Sequence, residues 1–70
     1  MDKQIQIEVN GFPEKVASDS TIARLITHFE ETDAHMIVEH NGRFVYPQEY
    51  PTTTVVHGDH IEFINPDFGG

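Results

Sequence analysis

The 70-residue chain carries twelve Asp and Glu against four Lys and Arg, a net charge of -8, with 37% apolar residues and no cysteine. That composition excludes a second domain, a disulfide or thiolate–zinc framework, and a carrier that holds sulfur as its own persulfide. It also makes nucleic acid and anionic membranes poor partners, since their phosphates repel an acidic surface, and a basic protein surface the expected one. No apolar run approaches the roughly 20 residues of a membrane span. Strand-like alternation starts directly after Met1-Asp2-Lys3-Gln4, where a signal peptide would place an apolar segment, so a cytoplasmic location is expected.

Ile5, Ile7 and Val9 alternate with Gln4, Gln6 and Glu8, the period-2 pattern of a strand with one buried face. Asn10-Gly11 favours a tight I′ turn, which folds the chain back through residues 12–17, with Pro13 confining that strand to a sheet edge. Ser18-Asp19-Ser20-Thr21 is a cluster of helix-capping residues, and Ser18 and Ser20 are expected to cap. After it Ile22, Leu25, Ile26 and Phe29 recur at helical spacing. A helix over residues 21–31 would lay this stripe on the sheet and turn Arg24, Thr27, His28, Glu30 and Glu31 to water.

Met36-Ile37-Val38-Glu39 reads as a third strand, and Asn41-Gly42 as a second tight turn into a strand over 43–46 that Pro47 ends. Residues 48–54 read as an irregular connection, with Tyr50 packing its ring on the core edge. Gly58-Asp59 then launches a last strand over 60–64, in which Ile61 and Phe63 share a face. One helix can cover only one sheet face, so the predicted class is α+β: a mixed four- to five-stranded sheet gripping one main helix, the last strand parallel to the first. This β-grasp layout leaves the other face open, and Ile37, Phe44 and Ile64 would form a contact patch there.

Six residues, Asn65-Pro66-Asp67-Phe68-Gly69-Gly70, follow the last strand. The predicted division is a domain over 1–64 and a flexible tail over 65–70. Fully extended, the tail reaches about 20 Å. Proline stiffens its exit, and Gly69 and Gly70 can pass where only a backbone fits, so Asp67, Phe68 and Gly69 would thread and Gly70 would deliver its carboxylate. A free α-carboxyl is an anion near neutral pH and a poor electrophile, so it needs activation, usually by attack on ATP. No Gly-rich phosphate loop occurs in the chain. The protein therefore reads as a substrate for another enzyme, itself binding no cofactor.

Five histidines raise the question of a metal, but His57 and His60 flank a tight turn where their side chains diverge. His28, His35 and His40 sit on different elements. No third ligand stands at fixed spacing, so no metal site and no catalytic residue are expected.

Taken together, Asn10-Gly11, Ser20-Thr21 with Leu25-Ile26, Val38-Glu39-His40-Asn41-Gly42, Pro47 with Glu49-Tyr50, Gly58-Asp59-His60-Ile61-Glu62 and the final Gly69-Gly70 resemble the ThiS family. These are the sulfur carrier proteins of thiamine biosynthesis. The resemblance spans essentially the whole chain and implies a ubiquitin-like β-grasp fold and a carrier whose Gly70 carboxylate is adenylated and converted to a thiocarboxylate. It further implies three partners: an ATP-dependent, E1-like activating enzyme (ThiF-like), a sulfur-donating persulfide enzyme, and a thiazole synthase (ThiG-like) that receives the sulfur. The free carrier is expected to be a monomer. One departure is Asp67-Phe68, where relatives commonly carry small or aliphatic residues. A carrier for molybdopterin or another sulfur-requiring pathway, a ubiquitin-like protein modifier and an interaction module with an inert tail remain the alternatives.

Overall fold

The computed structural model describes residues 3–66. Its elements are β1 (Gln4–Val9), β2 (Phe12–Ala17), α1 (Ile22–His28), β3 (Ile37–His40), β4 (Arg43–Val45), a 3₁₀ turn (Pro47–Glu49) and β5 (His60–Ile64). They form one five-stranded sheet in the order β2-β1-β5-β3-β4. β5 lies at its centre, parallel to β1 and antiparallel to β3. The expected mixed β-grasp sheet is therefore observed, with its last strand beside its first.

Both hairpins turn on Asn-Gly pairs at positive φ: Asn10 at 51° and Gly11 at 87°, Asn41 at 53° and Gly42 at 82°. Two consecutive positive φ angles match the right-handed twist of the flanking strands, and Asn followed by Gly is the pair that adopts them at least cost. Pro13 falls on β2, an edge strand, as its missing N–H requires.

Ile7, Val9, Val16, Val38, Val45, Ile61 and Phe63 from the strands meet Ile22 and Leu25 of the helix, with Val55 closing the core. A seven-residue helix is too short to persist alone; here Ile22 and Leu25 are at most 1% exposed, and burial of each contributes about 1.5–3 kcal/mol. Ile26, Phe29, Met36 and Tyr50 pack around this centre half-buried.

The helix is shorter than its sequence pattern predicts, and its cap differs. Thr21, not Ser18 or Ser20, is the N-cap, its hydroxyl accepting from the Arg24 N–H at 3.2 Å. Ser20 is buried and donates its hydroxyl to the Ala17 carbonyl at 2.8 Å, while its own carbonyl accepts from the Val55 N–H. At the other end the Glu30 N–H bonds to Thr27 O and the Glu31 N–H to Ile26 O, closing the helix at Phe29. That closure needs a left-handed residue, and Glu30 supplies it at φ 57°. A side chain there costs about 1–2 kcal/mol, so Glu30→Gly is expected to stabilise the fold by about 0.5–1 kcal/mol after the added freedom of the unfolded chain is subtracted. Urea unfolding midpoints check this; a lower midpoint for Glu30→Gly would mean that the Glu30 side chain makes a compensating contact.

Smaller shifts of boundary occur elsewhere. β3 begins at Ile37 and runs through His40, β4 stops at Val45, and Pro47 opens a 3₁₀ turn within the connection expected to be irregular. No helix among the described residues is long and apolar enough to cross a membrane.

Candidate functional site

The expected threading residues Asp67, Phe68 and Gly69 and the carrier terminus Gly70 lie outside the described residues. What the structure describes is the root from which they continue. β5 is a central strand, and two turn asparagines grip it by their side chains as well as their backbones. Asn10 Oδ1 accepts from the Phe63 N–H at 2.8 Å, and Asn41 Oδ1 accepts from the His60 N–H at 2.8 Å. The Asn10 N–H donates to Ile61 O and the Asn41 N–H to His60 O. Register ladder pairs between β1 and β5 number only two, Glu8 with His60 and Val9 with Ile61, so the Asn10 side chain extends a short parallel contact, while Asn41 holds the start of β5 from the antiparallel β3 side.

Asp59 is the polar pivot beneath this strand. It is 7% exposed, and its carboxylate accepts from His40 Nε2 at 2.7 Å, the Val56 N–H at 2.9 Å and Asn41 Nδ2 at 3.1 Å. Burial pushes this carboxyl upward, but the hydrogen bonds from His40, Val56 and Asn41 and the His40 charge outweigh it and hold the group below its ordinary value. One side chain thus ties β3, the second hairpin turn and the loop that launches β5. Its position in the sequence marked only a turn.

Across the sheet from the helix lies the open face. Strand alternation sends Val38, Val45, Ile61 and Phe63 to the core, so Ile37, Glu39, Phe44, Glu62 and Ile64 point the other way. Ile37 and Ile64 are direct cross-strand partners and half-buried, and Phe44, 48% exposed, pairs with Glu39 one strand further. The three patch residues therefore share one face beside the root of the tail. Tyr46, 55% exposed, stacks edge-on against Phe44 with ring centroids 4.6 Å apart. It was not anticipated, although its i+2 spacing from Phe44 is a strand-face signal.

The apolar residues are interleaved with acid. Glu39 and Glu62 stand directly opposite each other on β3 and β5, an arrangement that costs stability by like-charge repulsion. On the neighbouring strand Glu8 Oε1 contacts His60 Nδ1 at 2.9 Å. The face thus combines an aromatic pair, two aliphatic side chains and unneutralised carboxylates.

The histidines take separate partners: His40 meets Asp59, His60 meets Glu8, and His57 Nδ1 accepts from the Gln6 N–H at 3.1 Å. Among the described residues no group of three or more His, Asp or Glu side chains is placed to hold a metal ion.

Residues 5–70 match the ThiS family. No functionally curated protein matches the chain in sequence. Among solved structures it is similar to the thiamine biosynthesis protein ThiS from Geobacter metallireducens, with 30% identity and a TM-score of 0.83, the match covering 94% of this chain and all of that one. A family match over nearly every residue and the same fold at that identity agree on one assignment: the chain belongs to the ThiS family, small sulfur carriers built on a ubiquitin-like β-grasp fold.

Proposed function

We propose that the chain carries sulfur on its C-terminal carboxyl for construction of the thiamine thiazole. The Gly70 carboxylate attacks the α-phosphorus of ATP held by an E1-like activating enzyme, pyrophosphate leaves, and an acyl adenylate forms. The terminal sulfur of a persulfide enzyme displaces AMP to give an acyl disulfide. A second thiol of that partner then attacks the donor sulfur, forming a disulfide and releasing the thiocarboxylate, and thiazole synthase receives the thiocarboxylate sulfur. The observation that carries this reading is the family match running through residue 70, so that it includes Gly69-Gly70. ATP and the sulfur donor belong to the partners, since the chain has no phosphate-binding loop of its own.

The open sheet face supports the same reading. Ile37, Phe44, Tyr46 and Ile64 offer a compact apolar surface at the base of the tail, and aromatic side chains are the commonest anchors of protein interfaces. The opposed Glu39 and Glu62 would be relieved by basic residues of a partner, which favours encounter as well as docking. A partner seated on this face would receive the tail directly.

Threading supplies the test. Gly69→Val places a branched side chain where a backbone-wide channel is expected, and the clash should slow ATP–pyrophosphate exchange by the cognate activating enzyme at least tenfold, or about 1.4 kcal/mol. Exchange at the normal rate would remove the channel from the mechanism.

A further inference from the structure

Charge is unevenly distributed over the molecule. Against twelve carboxylates the chain has four Lys and Arg, and two of them, Lys15 and Arg24, line a single groove between β2 and α1. His28 stands with them, and Val16, Ala17 and Leu25 form the apolar part of the lining. A third cation, Lys3, immediately precedes the lining residue Gln4, and its carbonyl accepts from the Ser18 N–H at 2.9 Å. The fourth, Arg43, is on β4 at the opposite edge of the sheet. Among the described residues no acidic side chain lines the groove; Glu14 and Asp19 are the acidic residues adjacent in sequence to its lining. Among the described residues, Lys3, Lys15 and Arg24 form no salt bridge.

The backbone beside this groove is open as well. Among the described residues, β2 pairs with β1 on one side and with no strand on the other. Pro13 lacks an N–H and blocks the start of that edge, which leaves residues 14–17 able to accept an added strand. At about 210 Å³ the groove is smaller than the roughly 300–1,000 Å³ that small-molecule sites occupy. It suits single side chains of an extended segment. Arg24 and His28 also line a shallow depression with Ala23 and Thr27, so the basic surface continues over the helix.

We propose that the groove between β2 and α1 docks an extended acidic peptide segment of a protein partner. The peptide backbone pairs with residues 14–17, an apolar side chain lies over Val16 and Leu25, and flanking carboxylates meet Lys15 and Arg24. The partner is a second one, distinct from any seated on the open sheet face. β5 is parallel to β1 and pairs with its Glu8 and Val9 end, whereas Gln4 and Ala17 mark the other end. The tail root and the groove therefore sit at opposite ends of the sheet, and both can be occupied at once. This inference goes beyond the sulfur chemistry and does not depend on it.

The test uses the free full-length protein, without ATP or activating enzyme, so that its outcome is separate from that of the carrier reading. A short fluorescent peptide alternating valine and glutamate is titrated by anisotropy, alongside a counterpart with lysine for glutamate, while amide shifts are followed by NMR. The acidic peptide is expected to bind, to shift residues 14–17 together with Arg24 and His28, and to weaken with salt. Lys15→Glu and Arg24→Glu, both at exposed positions, should each reduce its affinity at least about tenfold with the native spectrum retained. The proposal is overturned by absence of binding, by equal binding of the lysine peptide, by shifts centred on Phe44 and Ile64, or by affinity unchanged in both variants. Tighter binding of an oligonucleotide in the same groove would also overturn it.

Discussion

Deletion of Gly70 is expected to abolish adenylation while leaving the domain folded. The new terminus would fall about 3.3–3.6 Å short of the α-phosphorus, and misplacement by even 1 Å from an attack geometry can cost about a hundredfold in rate. The core is untouched by the deletion, because its buried residues run from Ile7 to Phe63. Thermal unfolding of the deletion variant should therefore match that of the parent, while ATP–pyrophosphate exchange falls below detection. An equal loss of stability and exchange would instead mean that the tail belongs to the folded unit.

The second large effect is expected at Asp59, whose role is to hold the fold together beneath β5. Asp59→Ala leaves the Val56 N–H, His40 and Asn41 without their acceptor, and loss of a buried, charged hydrogen-bonding hub should cost about 2–4 kcal/mol. Asp59→Asn should recover little, since one carboxylate oxygen already serves two donors and an amide nitrogen in either position would face a donor. The effect has a defined pH dependence. Because the folded-state pKa is depressed, the ionised carboxylate stabilises the fold fully above the ordinary aspartate value of about 3.9 and loses that contribution as pH falls through the lower folded value. The stability gap between parent and Asp59→Ala, measured by urea unfolding, should thus be constant near neutrality and shrink in acid. A gap that widened in acid would contradict the assignment.

What could be read from the sequence was what local chemistry dictates. The two Asn-Gly turns each require positive φ at both positions, and they impose the hairpins almost alone. Alternation placed Ile37, Phe44 and Ile64 on one face without knowledge of which strands adjoin. The end of the helix was not legible, because the residue that takes the left-handed conformation is Glu30 and no glycine marks the stop. Long-range register was hidden as well. The opposition of Glu39 to Glu62 and the reach of Asp59 to His40 depend on how β3 meets β5, which single-strand patterns do not encode. Asn10 and Asn41 were legible as turn residues, but their side-chain grip on β5 appears only once that strand is placed between the hairpins. The end proposed to react was marked by composition alone, two glycines after Asn65-Pro66, and the chemistry proposed for it rests on the family match rather than on a built pocket.

The central claim is that Gly70 is the atom-bearing end of a sulfur carrier, and intact mass tests it most directly. The protein is incubated with its cognate activating enzyme, ATP and a persulfide sulfur source, then weighed whole and after C-terminal fragmentation. The account predicts a mass gain equal to replacement of one oxygen by sulfur, located at Gly70 and dependent on ATP. An unchanged mass, or sulfur found on any other residue, would contradict it.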